Sequence, residues 1–153
     1  MKHHILGLFS SLCLCTASSF AAQPDPLVGL WKTIDDRTGY SLADVFIKKD
    51  AKTQSYSAVI VQVRGVPGAE KKEHCTECKG SDKNKPLVGL RTLTGLTEIP
   101  GKNHEYQFGQ LLDPKNGEHY NARARSMNDG KHLIIRSTLN GSQLSRNTTW
   151  VKN

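Results

Sequence analysis

The chain has 153 residues and a formal net charge of +7, from 21 lysines and arginines against 14 aspartates and glutamates. That length suits one domain with one real core. The lysines are scattered, mostly in apparent turns, and lack the clustering among aromatic platforms that a nucleic-acid groove needs. The charge therefore reads as solubility and a general attraction to anionic surfaces.

The N-terminus, MKHHILGLFSSLCLCTASSFAAQPDP, has a short basic start and an apolar run from Ile5 to about Cys15. Small residues follow, with Ser19 and Ala21 at signal-peptidase spacing. Residues 1–21 are predicted to be a secretory signal peptide, too short in its apolar core to span a bilayer. Cys13 and Cys15 do not make a lipoprotein signal, because Leu12 and Leu14 stand where a small residue is needed. Residues 22–153 are then a single exported domain, periplasmic or secreted. No later stretch is long and apolar enough to cross a membrane.

Turn signals divide that domain at short intervals. Asp35-Asp36-Arg37-Thr38-Gly39 separates GLWKTI from YSLADVFIKK, and Lys49-Asp50-Ala51-Lys52-Thr53 precedes SYSAVIVQVRG. Asp113-Pro114-Lys115-Asn116-Gly117, Asn128-Asp129-Gly130 and Asn140-Gly141 punctuate the second half. Such residues allow the positive φ that tight hairpins require. The runs between them alternate with period two. In 118–126, Tyr120, Ala122 and Ala124 share one face, and His119, Asn121, Arg123 and Arg125 the other. This predicts seven strands and a weaker eighth near Thr92–Thr97, in an antiparallel all-β meander. Sequential hairpins favour a closed up-and-down barrel over a sandwich, because closure removes exposed edges. The interruption, residues 65–91, is long enough to suggest a lid or binding loop.

Cys75 and Cys78 lie in that loop. Structural zinc needs four ligands, and only two cysteines remain after the signal. A thioredoxin-like centre needs a βαβ setting, which is missing. Export favours a disulfide that pinches the loop, with a redox role as the minor alternative. Asp35, Asp36 and Asp44 could pair for acid–base work, but the first two sit in a hairpin turn. No nucleophile elbow or phosphate loop is present, so no catalytic, cofactor or metal residue is assigned and an enzyme is not expected. Asn147-Thr148-Thr149 fits a glycosylation acceptor, a tripeptide frequent by chance. Gly29 and Trp31 open the first strand, and Arg146 and Trp150 mark the last. Lipocalin-like barrels carry Gly-x-Trp there, with a late arginine over the indole at the closed end. The expectation is that these four residues close the barrel by cation–π stacking and hydrogen bonds.

Further segments carry a wider resemblance: Lys85-Pro86-Leu87-Val88-Gly89-Leu90, Leu93-Thr94-Gly95-Leu96, and Leu112-Asp113-Pro114 with Gly117 and Tyr120. With the terminal motifs and the Cys75–Cys78 loop, the chain resembles a bacterial exported family, domain of unknown function 2147, over nearly all of residues 28–152. The resemblance implies a small lipocalin-like (calycin) or fatty-acid-binding-protein-like barrel with no established reaction. Members often read Arg-Gly where this chain has Arg136-Ser137, and Arg-Ser-Gln-Thr-Trp where it has Arg146-Asn147-Thr148-Thr149-Trp150. The functional expectation is a carrier of a small apolar or amphipathic molecule, gated by the 65–91 loop. Tyr120, Ala122 and Ala124 would line its cavity if their face points inward. The alternative is a filled barrel acting through its surface as an envelope interaction or stress protein.

Overall fold

A computed structural model of the chain describes residues 24–153, so the predicted signal peptide lies outside the described residues. Eight strands follow in order: β1 (Gly29–Ile34), β2 (Ser41–Lys49), β3 (Tyr56–Val63), β4 (Arg91–Glu98), β5 (Glu105–Asp113), β6 (Glu118–Ser126), β7 (His132–Leu139) and β8 (Ser145–Lys152). Each pairs antiparallel with the next, and β8 returns to β1 to close the barrel. The weak strand is a full one, eight residues long.

One device makes four of the turns. The Asp35 carboxylate accepts the N–H groups of Arg37 and Thr38, and Asp50 those of Lys52 and Thr53. Asp129 accepts from Lys131 and His132, and Asp113 from Lys115. An aspartate folding its side chain back on the following amides fixes the turn without a long-range contact.

Alternation then fills the interior. On β6, Ala122, Ala124 and Ser126 are buried while His119, Asn121, Arg123 and Arg125 are exposed. Trp31, Ile47, Tyr56, Leu93, Leu96, Leu133 and Ile135 are fully buried and form the dense half of the core. Tyr56 and Tyr106 meet edge to face, ring centroids 5.6 Å apart.

The segment before β1 closes that end. Leu27 is fully buried, and its carbonyl accepts the Trp31 indole N–H at 2.8 Å. Lys152 Nζ sits 5.3 Å from the Trp31 ring centroid and donates to the Pro26 carbonyl. Nearby, the Tyr56 hydroxyl lies 2.8 Å from Asp25 and 2.7 Å from Glu98. One phenolic proton thus serves two carboxylates. The Lys49 ammonium, 3.4 and 3.2 Å from the same pair, supplies the charge that keeps both ionised.

The expected arginine over the indole is therefore a lysine. Trp31 pairs in register with Lys152, and Thr33 with Trp150. Arg146 is six residues earlier on β8, which puts it roughly 20 Å away along the strand. It is half exposed and donates to Asp113 at 3.3 Å. Gly29 begins β1 beside Lys152, whose aliphatic stem passes 3.6 Å from where a Cβ would stand.

The long loop is not a free flap. Ile60 N–H donates to the Leu90 carbonyl and Gly89 N–H to Ile60, while His74 bridges to Pro86. Leu87 and Leu90 are buried in the core. Cys75 and Cys78 form a disulfide, and both are buried. The clipped turn docks on the β5–β6 connection. A Cβ on Gly117 would collide with the Glu77 carbonyl, and Lys79 pairs with Glu118.

Candidate functional site

The β1–β2, β5–β6 and β7–β8 turns and the loop after β3 all gather at the end opposite Trp31. There the interior is not filled. A cavity of about 490 Å³ opens among Ala43, Val45, Ile60, Leu111, Leu112 and Trp150. That volume is in the range of small-molecule sites, about 300–1,000 Å³, and such sites combine apolar walls with a few polar groups.

The polar groups are present. Thr92 is buried and its hydroxyl donates to the Leu112 carbonyl at 2.9 Å. Thr148 also lines the cavity, and its buried hydroxyl has no protein hydrogen-bond partner. A buried hydroxyl left unpaired is costly unless water or a ligand satisfies it.

Charged side chains ring the mouth: Asp35, Asp36, Arg37, Arg64, Glu70, Lys71, Lys72, Asp113, Lys115 and Arg146. Several are locked. Lys115 pairs with Asp35, which is only 6% exposed, and so ties the β1–β2 turn to the β5–β6 turn. The Lys115 ammonium, aided by the Arg37 and Thr38 amides, holds the Asp35 carboxyl well below the usual carboxylate range. Arg64 forks onto buried Asp44 with two hydrogen bonds, 3.0 and 2.6 Å. Arg37, Lys71 and Lys72 carry no ion pair among the described residues, so the mouth has spare positive charge facing Asp36 and Glu70.

The predicted residues divide. Trp150 lines the cavity and Arg146 stands at its mouth, although both were expected at the floor. Trp31 does belong to the floor. Tyr120, Ala122 and Ala124 share one face as the alternation implied, and that face turns inward, but none of them lines this cavity. The space over Ala122 is taken. Gly109 lies opposite it, and Leu96 Cδ1 comes within 3.0 Å of where a Gly109 Cβ would stand. The Tyr120 hydroxyl turns to the β5–β6 turn and accepts from Asn116 at 2.8 Å. Among the described residues no group of three or more His, Cys, Asp or Glu converges to hold a metal. Likewise, among them no helix is long and apolar enough to cross a membrane.

Thr148 as a cavity hydroxyl and Arg64 as the partner of Asp44 were not anticipated. Asp44 had a local signal, a carboxylate between apolar neighbours in LADVF. Arg64 is 20 residues from it and becomes its partner only through the β2–β3 hairpin.

The profile of the family "Uncharacterized protein conserved in bacteria (DUF2147)" matches residues 29–152. The chain belongs to that family. Among solved structures it is similar to protein HP1028 from Helicobacter pylori, described as belonging to the lipocalin family. That likeness has a TM-score of 0.66 at 18% identity and covers 83% of this chain and 82% of the other. At such identity it shows the shared lipocalin-like fold. A search of curated proteins found no match.

Proposed function

We propose that this DUF2147 barrel is an exported, non-enzymatic carrier of one small amphipathic molecule, acting in the periplasm or outside the cell. The observation that carries the reading is the half-filled interior. The same barrel packs aromatic and aliphatic residues tightly at one end and leaves about 490 Å³ at the other. An apolar chain would lie against Val45, Ile60, Leu111 and Trp150, with a hydroxyl or carbonyl near Thr148. A polar or anionic head would face Arg37, Lys71 and Lys72 at the mouth. The lipocalin-like fold supports small-molecule binding as a class. The signal-peptide reading supports export.

The redox alternative for Cys75 and Cys78 loses ground because both are buried in the native fold, and thiol–disulfide exchange needs access. The filled-barrel alternative is disfavoured by the cavity itself.

Titration with a fluorescent fatty-acid probe tests the carrier reading. The expected result is saturable binding that a non-fluorescent fatty acid displaces. Ala43→Phe, which fills the cavity from its wall, should weaken it at least tenfold. Folded protein that binds no displaceable probe would exclude a cavity for such ligands.

A further inference from the structure

The outer wall of β5, β6 and β7 presents residues that take no part in the cavity. Arg123 and Arg136 are direct cross-strand partners on that face. Like charges placed directly opposite destabilise a sheet, so fold stability alone gives no reason to keep them there. No ion pair reaches either arginine among the described residues. Arg136 Nε donates only to the Ser145 hydroxyl, at 3.0 Å. Arg125 stands two residues on. The acid opposite it, Glu105, lies 3.6 Å from Lys102. The adjoining positions are amides: Gln110 donates to Asn121, which donates to Asn140.

Beside the pair stands Phe108. It is 74% exposed and holds φ at 61°, the left-handed region that a phenylalanine rarely occupies. The strand bulges here, between Tyr106 and Gly109 on β5. Bulges re-aim side chains. This one turns a large aromatic outward at a backbone cost, next to an uncompensated arginine pair.

We infer that this wall docks on an anionic lipid bilayer. The arginines would fork onto lipid phosphates, for which the planar guanidinium is suited. Phe108 would enter the interface beside them. A nucleic acid or acidic polymer fits less well, since the wall offers one exposed aromatic and no run of stacking platforms.

Sedimentation of the exported chain with phospholipid vesicles tests the proposal. Expected is binding to vesicles containing phosphatidylglycerol and none to phosphatidylcholine alone. It should fade as salt rises from about 0.1 M to about 1 M, where the screening length falls from about 10 to about 3 Å. Each arginine near an anionic surface multiplies partitioning about fivefold, so Arg123→Gln with Arg136→Gln should reduce it about 25-fold. Phe108→Gly should weaken vesicle binding while the protein melts no lower, because glycine accepts the positive φ. Removing the same charge elsewhere, by Lys52→Gln with Lys83→Gln, should have little effect. An equal loss in that control would overturn the site in favour of diffuse charge. Soluble polyphosphate binding that is indifferent to Phe108→Gly would overturn the lipid assignment. So would wild-type protein that ignores phosphatidylglycerol vesicles at low salt.

Discussion

The two ends of this barrel are built from the same eight strands and have opposite contents. At the floor, the side chains of Leu27, Trp31, Tyr56 and Tyr106 are buried, and the Trp31 indole N–H and the Tyr56 hydroxyl are paired. At the mouth the walls are apolar but the volume is unfilled. Charged residues tie the turns there to one another, as Lys115 of the β5–β6 turn does with Asp35 of the β1–β2 turn. A short barrel with about eight strands has an interior that side chains can just fill or that can hold one small ligand. Here the division runs along the axis: Trp31, Tyr56 and Tyr106 are buried in one half, while the other stays open beside Ala43 even though Trp150 and Leu112 line it.

Exchanging side-chain size at each end separates the two halves most. Trp31→Ala should lower unfolding free energy by about 3–5 kcal/mol, as aromatic-to-alanine changes in cores do. Urea denaturation would measure it. Ala43→Phe should cost no more than about 1.5 kcal/mol, because the added ring enters existing space. If Ala43→Phe destabilised as much as Trp31→Ala, the mouth would be packed like the floor and the cavity would not exist in solution.

The clipped loop ranks next. Joining residues three apart closes a small ring, and chain entropy alone gives about 2 kcal/mol for it. Because the disulfide is buried against Pro114 and Gly117, Cys75→Ala with Cys78→Ala should cost at least that much. Probe affinity should also fall, since the residues lining the mouth at 66–72 hang from this loop. The melting temperature with and without a reductant, read beside a probe titration, separates the two effects. Unchanged affinity in the double variant would detach the loop from the mouth.

Much of this was legible in the sequence, and the limits are physical. Alternation and Asp- or Gly-containing turns are local, so eight strands, their order and which β6 residues share a face could be read directly, though not which face turns inward. Closure into a barrel followed from the run of hairpins. The position of the cavity could not be read. Whether Ala122 leaves a hole depends on what faces it, and the answer is Leu96 over Gly109, on two other strands. The same holds for Arg146. The lipocalin-like pattern of a late arginine over the first-strand indole suggested the floor, yet Arg146 stands six residues before Lys152, the partner of Trp31, or about 20 Å along the strand. Register between β8 and β1 decides which cation meets the indole, and register between chain ends leaves no short-range trace.

Acid should distinguish the ends as well, by a smaller margin. Lys115 holds Asp35 below its ordinary value at the mouth, and at the floor the Tyr56 hydroxyl and Lys49 hold Glu98 down in the same direction. Burial alone would raise Asp25, yet Tyr56, the Leu27 amide and Lys49 bring it down as well. A carboxyl with a depressed folded pKa adds stability above its unfolded value, about 4, and loses it as pH falls through the folded one. Stability should therefore be flat above about pH 5 and drop below about pH 4. Lys115→Met should shrink the part of that drop belonging to the mouth, and Lys49→Met the part belonging to the floor. Lys115 is half exposed, so solvent screening limits its share. Denaturation midpoints across the acid range would read both. An acid limb identical in the wild type and both variants would show that neither pair holds its carboxylates in solution.

The smallest expected effect decides which cation closes the barrel. Lys152 lies over Trp31 and donates to the Pro26 carbonyl, so Lys152→Met keeps the stem and removes both interactions. With its ammonium partly in solvent, a lysine over an aromatic face is worth about 0.5–1 kcal/mol. Its hydrogen bond adds a similar amount. The loss should be about 1–2 kcal/mol. Arg146→Gln removes only a half-exposed pair with Asp113, and should change stability by less than about 1 kcal/mol. Its consequence belongs to the mouth, where it should alter probe affinity and leave the Trp31 fluorescence environment as it was. The reverse ranking, with Arg146→Gln the more destabilising and the indole emission shifted, would return the arginine to the floor. It would also overturn the β8–β1 register from which the position of the cavity follows.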